Sequence, residues 1–162
     1  MTANKQQAIQ DFWDSYLASL TADARPDNKL PECWPFGDSA EMADELGVLV
    51  AAGTKTATCS LLYEYKMEGS EIPKPGDLSI ILDGRGLPMC LIETTEVIIK
   101  LFKDVDAQFA YDEGEGDRSM AYWRKGHINF FTRACEALGC RFSEDMRVIC
   151  ERFRLVYNPP SV

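Results

Sequence analysis

Apolar residues in the first part of the chain recur at helical spacing. Ile9, Phe12, Trp13, Tyr16, Leu17 and Leu20 share one face of a helix predicted over residues 4–20. That face predicts a helix that packs its aromatic rings on the rest of the protein. Residues 21–37 carry no period. They hold Arg25-Pro26-Asp27-Asn28, Pro31 and Trp34-Pro35-Phe36-Gly37, and read as loop. Asp38 followed by Glu41 reads as a capping-box variant that opens a second helix. Met42, Leu46, Leu49 and Val50 form its apolar stripe, and Gly53 suits the left-handed position that ends it.

From Thr54 the period changes to two. Thr56, Thr58, Ser60 and Leu62 alternate with Ala57, Cys59 and Leu61, as in a strand. Pro73-Lys74-Pro75-Gly76-Asp77 is a turn. Leu78–Leu82 and residues 87–100 are the strongest strands, split by the hairpin loop Asp83-Gly84-Arg85-Gly86. A short helix is expected over 104–111. The acidic loop Asp112-Glu113-Gly114-Glu115-Gly116 follows. Asp117 or Ser119 caps a long helix that runs through Leu138 and closes at Gly139. Residues 148–157 form the last strand, and Pro159-Pro160 ends the fold. Strands without regular β-α alternation, with helices grouped around them, predict an α+β class whose strands close into a small barrel.

Composition narrows the function. The 162 residues suit one domain with a real core. A net charge of −9 argues against duplex DNA as a partner, because such binding needs many Lys/Arg contacts to phosphate. A small basic pocket for one nucleoside remains compatible with it. The first residues do not form a signal-peptide apolar run, and no segment approaches the roughly 20 apolar residues of a membrane span. The cysteines Cys33, Cys59, Cys90, Cys135, Cys140 and Cys150 form no C-x-x-C pair. A cytoplasmic protein with six free thiols, no membrane partner, no metal and no cofactor is expected.

Chemistry must then rest on Lys, Asp and Glu, because His127 is the single histidine. In Gly53-Thr54-Lys55-Thr56-Ala57-Thr58, Lys55 reads in two ways. It is a cation just past a helix C-terminus, or a desolvated lysine that loses its proton near neutral pH and serves the Thr58 hydroxyl as base. The second reading needs a bend near Gly53, because a straight strand puts Lys55 opposite Thr56 and Thr58. Glu113 and Glu115 sit just ahead of a helix N-terminus. They read as helix-start electrostatics, or as carboxylates that handle a leaving-group proton. Trp123 and His127 fall on nearby faces of the long helix. They read as core and as a structural histidine, with a hydrogen bond into a site as the other reading for His127. Trp34, Phe36, Tyr63 and Tyr65 are aromatic and able to stack a base.

Taken together, several segments resemble the ASCH domain family, and more closely its bacterial stand-alone branch long catalogued as a domain of unknown function. They are Trp34-Pro35-Phe36-Gly37-Asp38, Ala43-Asp44-Glu45-Leu46, Gly53 to Thr58, Pro75-Gly76-Asp77, Glu113 to Ser119, Tyr122-Trp123 and Cys150-Glu151-Arg152-Phe153. The resemblance covers 34–157 and makes 1–33 an N-terminal helix and loop and 158–162 a tail. It implies a small PUA-like β-barrel flanked by helices, and a cleft suited to a nucleoside or RNA. One group of ASCH proteins removes the acyl group from N4-acylated cytidines, a metal-free amidohydrolase reaction on a linear amide, with a K-x-x-T motif and a later Glu. Lys55 and Thr58 match that motif. Glu115 matches the Glu, with Glu113 as the alternative. Trp34, Phe36, Thr56, Tyr63, Glu113 and Arg118 would line the substrate site. A second group acts as ribonucleases, and a third possibility is a non-catalytic RNA- or nucleotide-binding module linked to translation.

Overall fold

The computed structural model describes residues 3–26 and 29–159. Asp27 and Asn28 of the expected loop, and residues 160–162 of the expected tail, lie outside these. The elements in chain order are α1 (Ala3–Ser19), β1 (Glu32–Pro35), α2 (Ala40–Ala51), β2 (Ala57–Leu61), α3 (Leu62–Glu68), β3 (Leu78–Leu82), β4 (Pro88–Leu101), α4 (Ala107–Asp112), α5 (Met120–Ala137) and β5 (Arg147–Tyr157). The strands form one mixed sheet in the order β1-β3-β4-β5-β2, and the class is α+β.

The chain divides into two compact units. The first holds residues 3–52, 77–93 and 155–159, and the second 53–76 and 94–154. In the first, Ile9, Phe12, Trp13 and Tyr16 of α1 form a core with Ile80 and Leu82 of β3 and Leu91 of β4. Their spacing is the helical stripe read from sequence. β1 pairs in parallel with β3, with Trp34 opposite Ile81. This strand lies inside the segment expected to be loop. Four residues that include a proline are too few to show a period. The cap of α2 also differs from expectation. Ser39, not Asp38, accepts the Met42 N–H at 3.2 Å. Gly53 is left-handed, as a helix-ending glycine should be (φ 73°).

In the second unit, Ala57, Cys59 and Leu61 of β2 and Val148 and Cys150 of β5 form a core with Phe102, Phe109, Trp123, Phe131 and Cys135. β2 and β5 run antiparallel, with Thr58 opposite Glu151 and Cys59 opposite Cys150. The strand stops at Leu61, because Leu62–Glu68 turns into α3 and Gly69 caps it in the left-handed conformation. The alternation up to Leu62 concealed that helix, and its seven residues are too short for a clear 3.6-residue period. α5 begins at the Ser119 cap, whose hydroxyl accepts the Tyr122 N–H, and ends before Gly139. All six cysteines are free thiols.

Candidate active site

The site is built by two segments of the second unit. One is the stretch 54–56 that leads into β2. The other is the loop between α4 and α5. Asp106 caps α4 through the Phe109 N–H, and Glu113 ends the helix. Two links tie the segments together. The Thr56 N–H donates to the Asp112 carbonyl at 2.9 Å, and the Thr56 hydroxyl donates to the same oxygen at 3.3 Å. Gly114 makes the closest approach. A Cβ there would sit 2.5 Å from the Thr54 carbonyl oxygen and 3.0 Å from the Lys55 Cα, and its φ is +74°. Only glycine fits that position without strain.

This closure brings Lys55 to Glu113 and Glu115. Lys55 Nζ donates to Glu113 Oε2 at 2.8 Å and to Glu115 Oε1 at 2.7 Å, and reaches the Glu113 carbonyl at 3.4 Å. The side chains of Lys55 and Glu113 are each 1% exposed, whereas Glu115 is 24% exposed. Glu115 is therefore the member of this trio that meets solvent. A buried lysine between two carboxylates stays charged. Burial alone would lower its pKa, but the charges and hydrogen bonds of Glu113 and Glu115 outweigh that, and the net direction is up. The expectation of a neutral lysine base is thereby corrected: the resemblance brings a glutamate to Lys55, and with both Glu113 and Glu115 on the ammonium their charge outweighs desolvation.

Glu113 has a second pair of donors behind it. The Trp123 indole N–H donates to Glu113 Oε1 at 2.9 Å, and His127 Nε2 lies 3.3 Å from the same oxygen. Burial would raise the Glu113 pKa, but Lys55 and His127 prevail and bring it down to about 2. The Trp123 ring stacks on Phe102 at 5.1 Å and on His127 at 4.2 Å. Trp123 reads from sequence as core, so its bond to Glu113 is a role that reading misses, whereas a hydrogen bond into a site is one of the two readings for His127. Their i, i+4 spacing on one helix face, just after an acidic loop, was the signal available.

The other expected residues divide between this cluster and elsewhere. Thr58 follows the alternation of β2. Ala57 and Cys59 point into the core, so the half-buried Thr58 points to the opposite face, beside its cross-strand partner Glu151. On the Thr58 face, the Thr94 hydroxyl donates to Glu151 Oε1 at 2.6 Å.

Arg118 is occupied by the loop itself. Its Nε donates to the Tyr111 carbonyl at 2.9 Å, its second arm reaches the Thr54 carbonyl at 3.3 Å, and the guanidinium lies 3.8 Å over the Tyr111 ring. Its φ of 62° is the one left-handed conformation of a non-glycine among the described residues, so it clamps the loop at some strain. Tyr63 lies half-buried on α3. Trp34 and Phe36 belong to the first unit, where their rings meet edge-on at 4.6 Å. No group of three or more His, Cys, Asp or Glu side chains able to hold a metal occurs among the described residues. No helix among them is long and apolar enough to cross a membrane.

The family model described as the ASCH domain matches residues 32–157. No curated protein matches the chain. The crystal structure of an ASCH domain from Lactobacillus crispatus is 35% identical, with a TM-score of 0.87, and the match covers 94% of this chain and 96% of that one. A protein from Enterococcus faecalis of known crystal structure is 38% identical, with a TM-score of 0.84, over 93% of this chain and 89% of that one. With the sequence match spanning most of its length and both structures superposing closely, the chain belongs to the ASCH domain family and has its α+β, PUA-like fold.

Proposed function

We propose that this ASCH protein hydrolyses the amide of N4-acylated cytosine nucleosides, with Glu115 as the group that meets the substrate. Family membership points to an RNA-associated or hydrolytic module, and the site argues for the hydrolytic one. The observation that carries the reading is a buried ammonium joined at 2.7 Å to a carboxylate that remains open to solvent. That arrangement aims a proton-transfer group outward and fixes it from behind.

In this reading Lys55 is not the proton acceptor. Glu115 takes a proton from water as the water oxygen bonds to the acyl carbon. The buried ammonium behind it offsets the negative charge that develops on the carbonyl oxygen. Glu115 then passes the proton to the exocyclic nitrogen as the carbon–nitrogen bond breaks. The products are the carboxylic acid and the free cytosine nucleoside. In this reading water, and not the Thr58 hydroxyl, is the nucleophile, because a charged Lys55 cannot take the hydroxyl proton. Tyr63, in the same unit as Glu115, remains the aromatic candidate for stacking the base.

The test is chromatography of the purified protein incubated with N4-acetylcytidine and, separately, with a short single-stranded RNA. Cytidine should form from the first, and the second should stay intact. Glu115→Gln should lose about 100-fold or more in rate, the usual span of a general acid–base group. RNA cleavage without cytidine release would replace this reading with the ribonuclease one. RNA retention without turnover of either compound would make the chain a binding module.

A further inference from the structure

We propose that His127 is a doubly protonated positioning residue that completes a chain of alternating charge, Glu115–Lys55–Glu113–His127. The argument begins with the ring nitrogens. Nδ1 lies 2.9 Å from the Trp123 carbonyl oxygen, which can only accept a hydrogen bond. Nε2 lies 3.3 Å from Glu113 Oε1. That oxygen already accepts from the Trp123 indole, and its twin Oε2 accepts from Lys55. Glu113 therefore has no proton to offer. A neutral ring would have to aim a bare lone pair at either the carbonyl or the carboxylate. Only the imidazolium satisfies both contacts at once.

Charge balance leads to the same state. Glu113 and Glu115 carry two negative charges, and Lys55 supplies one positive charge. A second cation makes the cluster neutral, and His127 stands where it is needed. Glu113 faces the ring directly, Glu115 lies farther off, Lys55 lies beyond Glu113, and the rings of Trp123 and Phe131 cover the remaining sides. Burial would lower the His127 pKa, but Glu113 and Glu115 outweigh it and the direction is up. A raised histidine contributes stability that is full below its ordinary value of 6.5 and is lost as pH rises through the folded value.

The positioning role follows from the geometry of Glu113. Its Oε1 is held by Trp123 and His127, so Oε2 is fixed toward Lys55, and Lys55 in turn holds Glu115. This role rests on the proposed use of Glu115, but the following test reads it without any substrate. The chain has one histidine, so its ring nitrogens give unambiguous NMR signals. Both should be protonated below a titration midpoint that lies above 6.5. The Lys55 ammonium signal, shielded from exchange by burial, should move in His127→Gln. The thermal stability of the wild type should fall as pH rises through the histidine midpoint, and that step should vanish in the variant. If His127→Gln fails to fold, His127→Arg serves, since it keeps the charge and should retain the Lys55 signal without the pH step. A titration midpoint at or below 6.5, or a Lys55 signal indifferent to the substitution, overturns the proposal. Absence of cytidine release with these signals intact would instead discard the amide-hydrolysis reading and leave the charged chain standing.

Discussion

Glu113 and Glu115 are two residues apart, yet they are opposite kinds of carboxylate. Glu113 is wholly buried with three donors at hand, whereas Glu115 shares one donor and reaches solvent. Their substitutions should separate accordingly. Glu113→Gln leaves Lys55 and His127 without a buried anion and should cost about 3–5 kcal/mol, the usual penalty for breaking a buried ion pair from one side. Glu115→Gln should cost less, because Lys55 keeps Glu113 as its buried anion and Glu115 is partly open to solvent. Urea unfolding of the two variants makes the comparison. The same contrast sets an acid limb. Glu113 has a depressed pKa, so its contribution is complete above the ordinary 4.5 and is lost as pH falls toward about 2. Unfolding midpoints measured from pH 6 downward should slope in the wild type and be flatter in Glu113→Gln.

At the scale of elements, the α4–α5 loop is set by its closeness to residues 54–55. Gly114→Ala should destabilise the protein by about 1–3 kcal/mol from the left-handed backbone alone, and further by pushing the loop off Thr54. Thermal melting of the variant reads the loss, and a variant as stable as the wild type would refute the close contact. The long elements were legible in sequence because they run for several periods. α1, α5, β3 and β4 appear where the pattern puts them, to within one or two residues at most ends. β1 and α3 were not legible. β1 is defined by its parallel partner β3, more than forty residues later, and α3 follows a strand pattern with no punctuation between them. Within the site, the lysine and both glutamates stood out as chemical types. The charge of Lys55 and the bond of Trp123 to Glu113 did not, because each depends on partners supplied by another element.

Over the whole molecule, 26 acidic residues face 17 basic ones. Several of the cations are engaged by acids: Lys103 by Asp145, Arg124 by Glu144, and Arg152 by Asp112 and Glu96. Duplex DNA should therefore not be retained at physiological salt, and an electrophoretic mobility shift with micromolar protein checks it. The Lys55–Glu113 pair has one more consequence, and it concerns time. The two residues are 58 apart in sequence, so the chain must close a long loop before ammonium and carboxylate meet. Closing that loop costs entropy before the contact returns any energy. The pair should then act as a late lock, which governs how slowly the native state opens and not how fast it is reached. In stopped-flow unfolding and refolding, Glu113→Gln should speed the unfolding arm and leave the refolding arm nearly in place. A slowed refolding arm would instead put this long-range pair inside the folding nucleus.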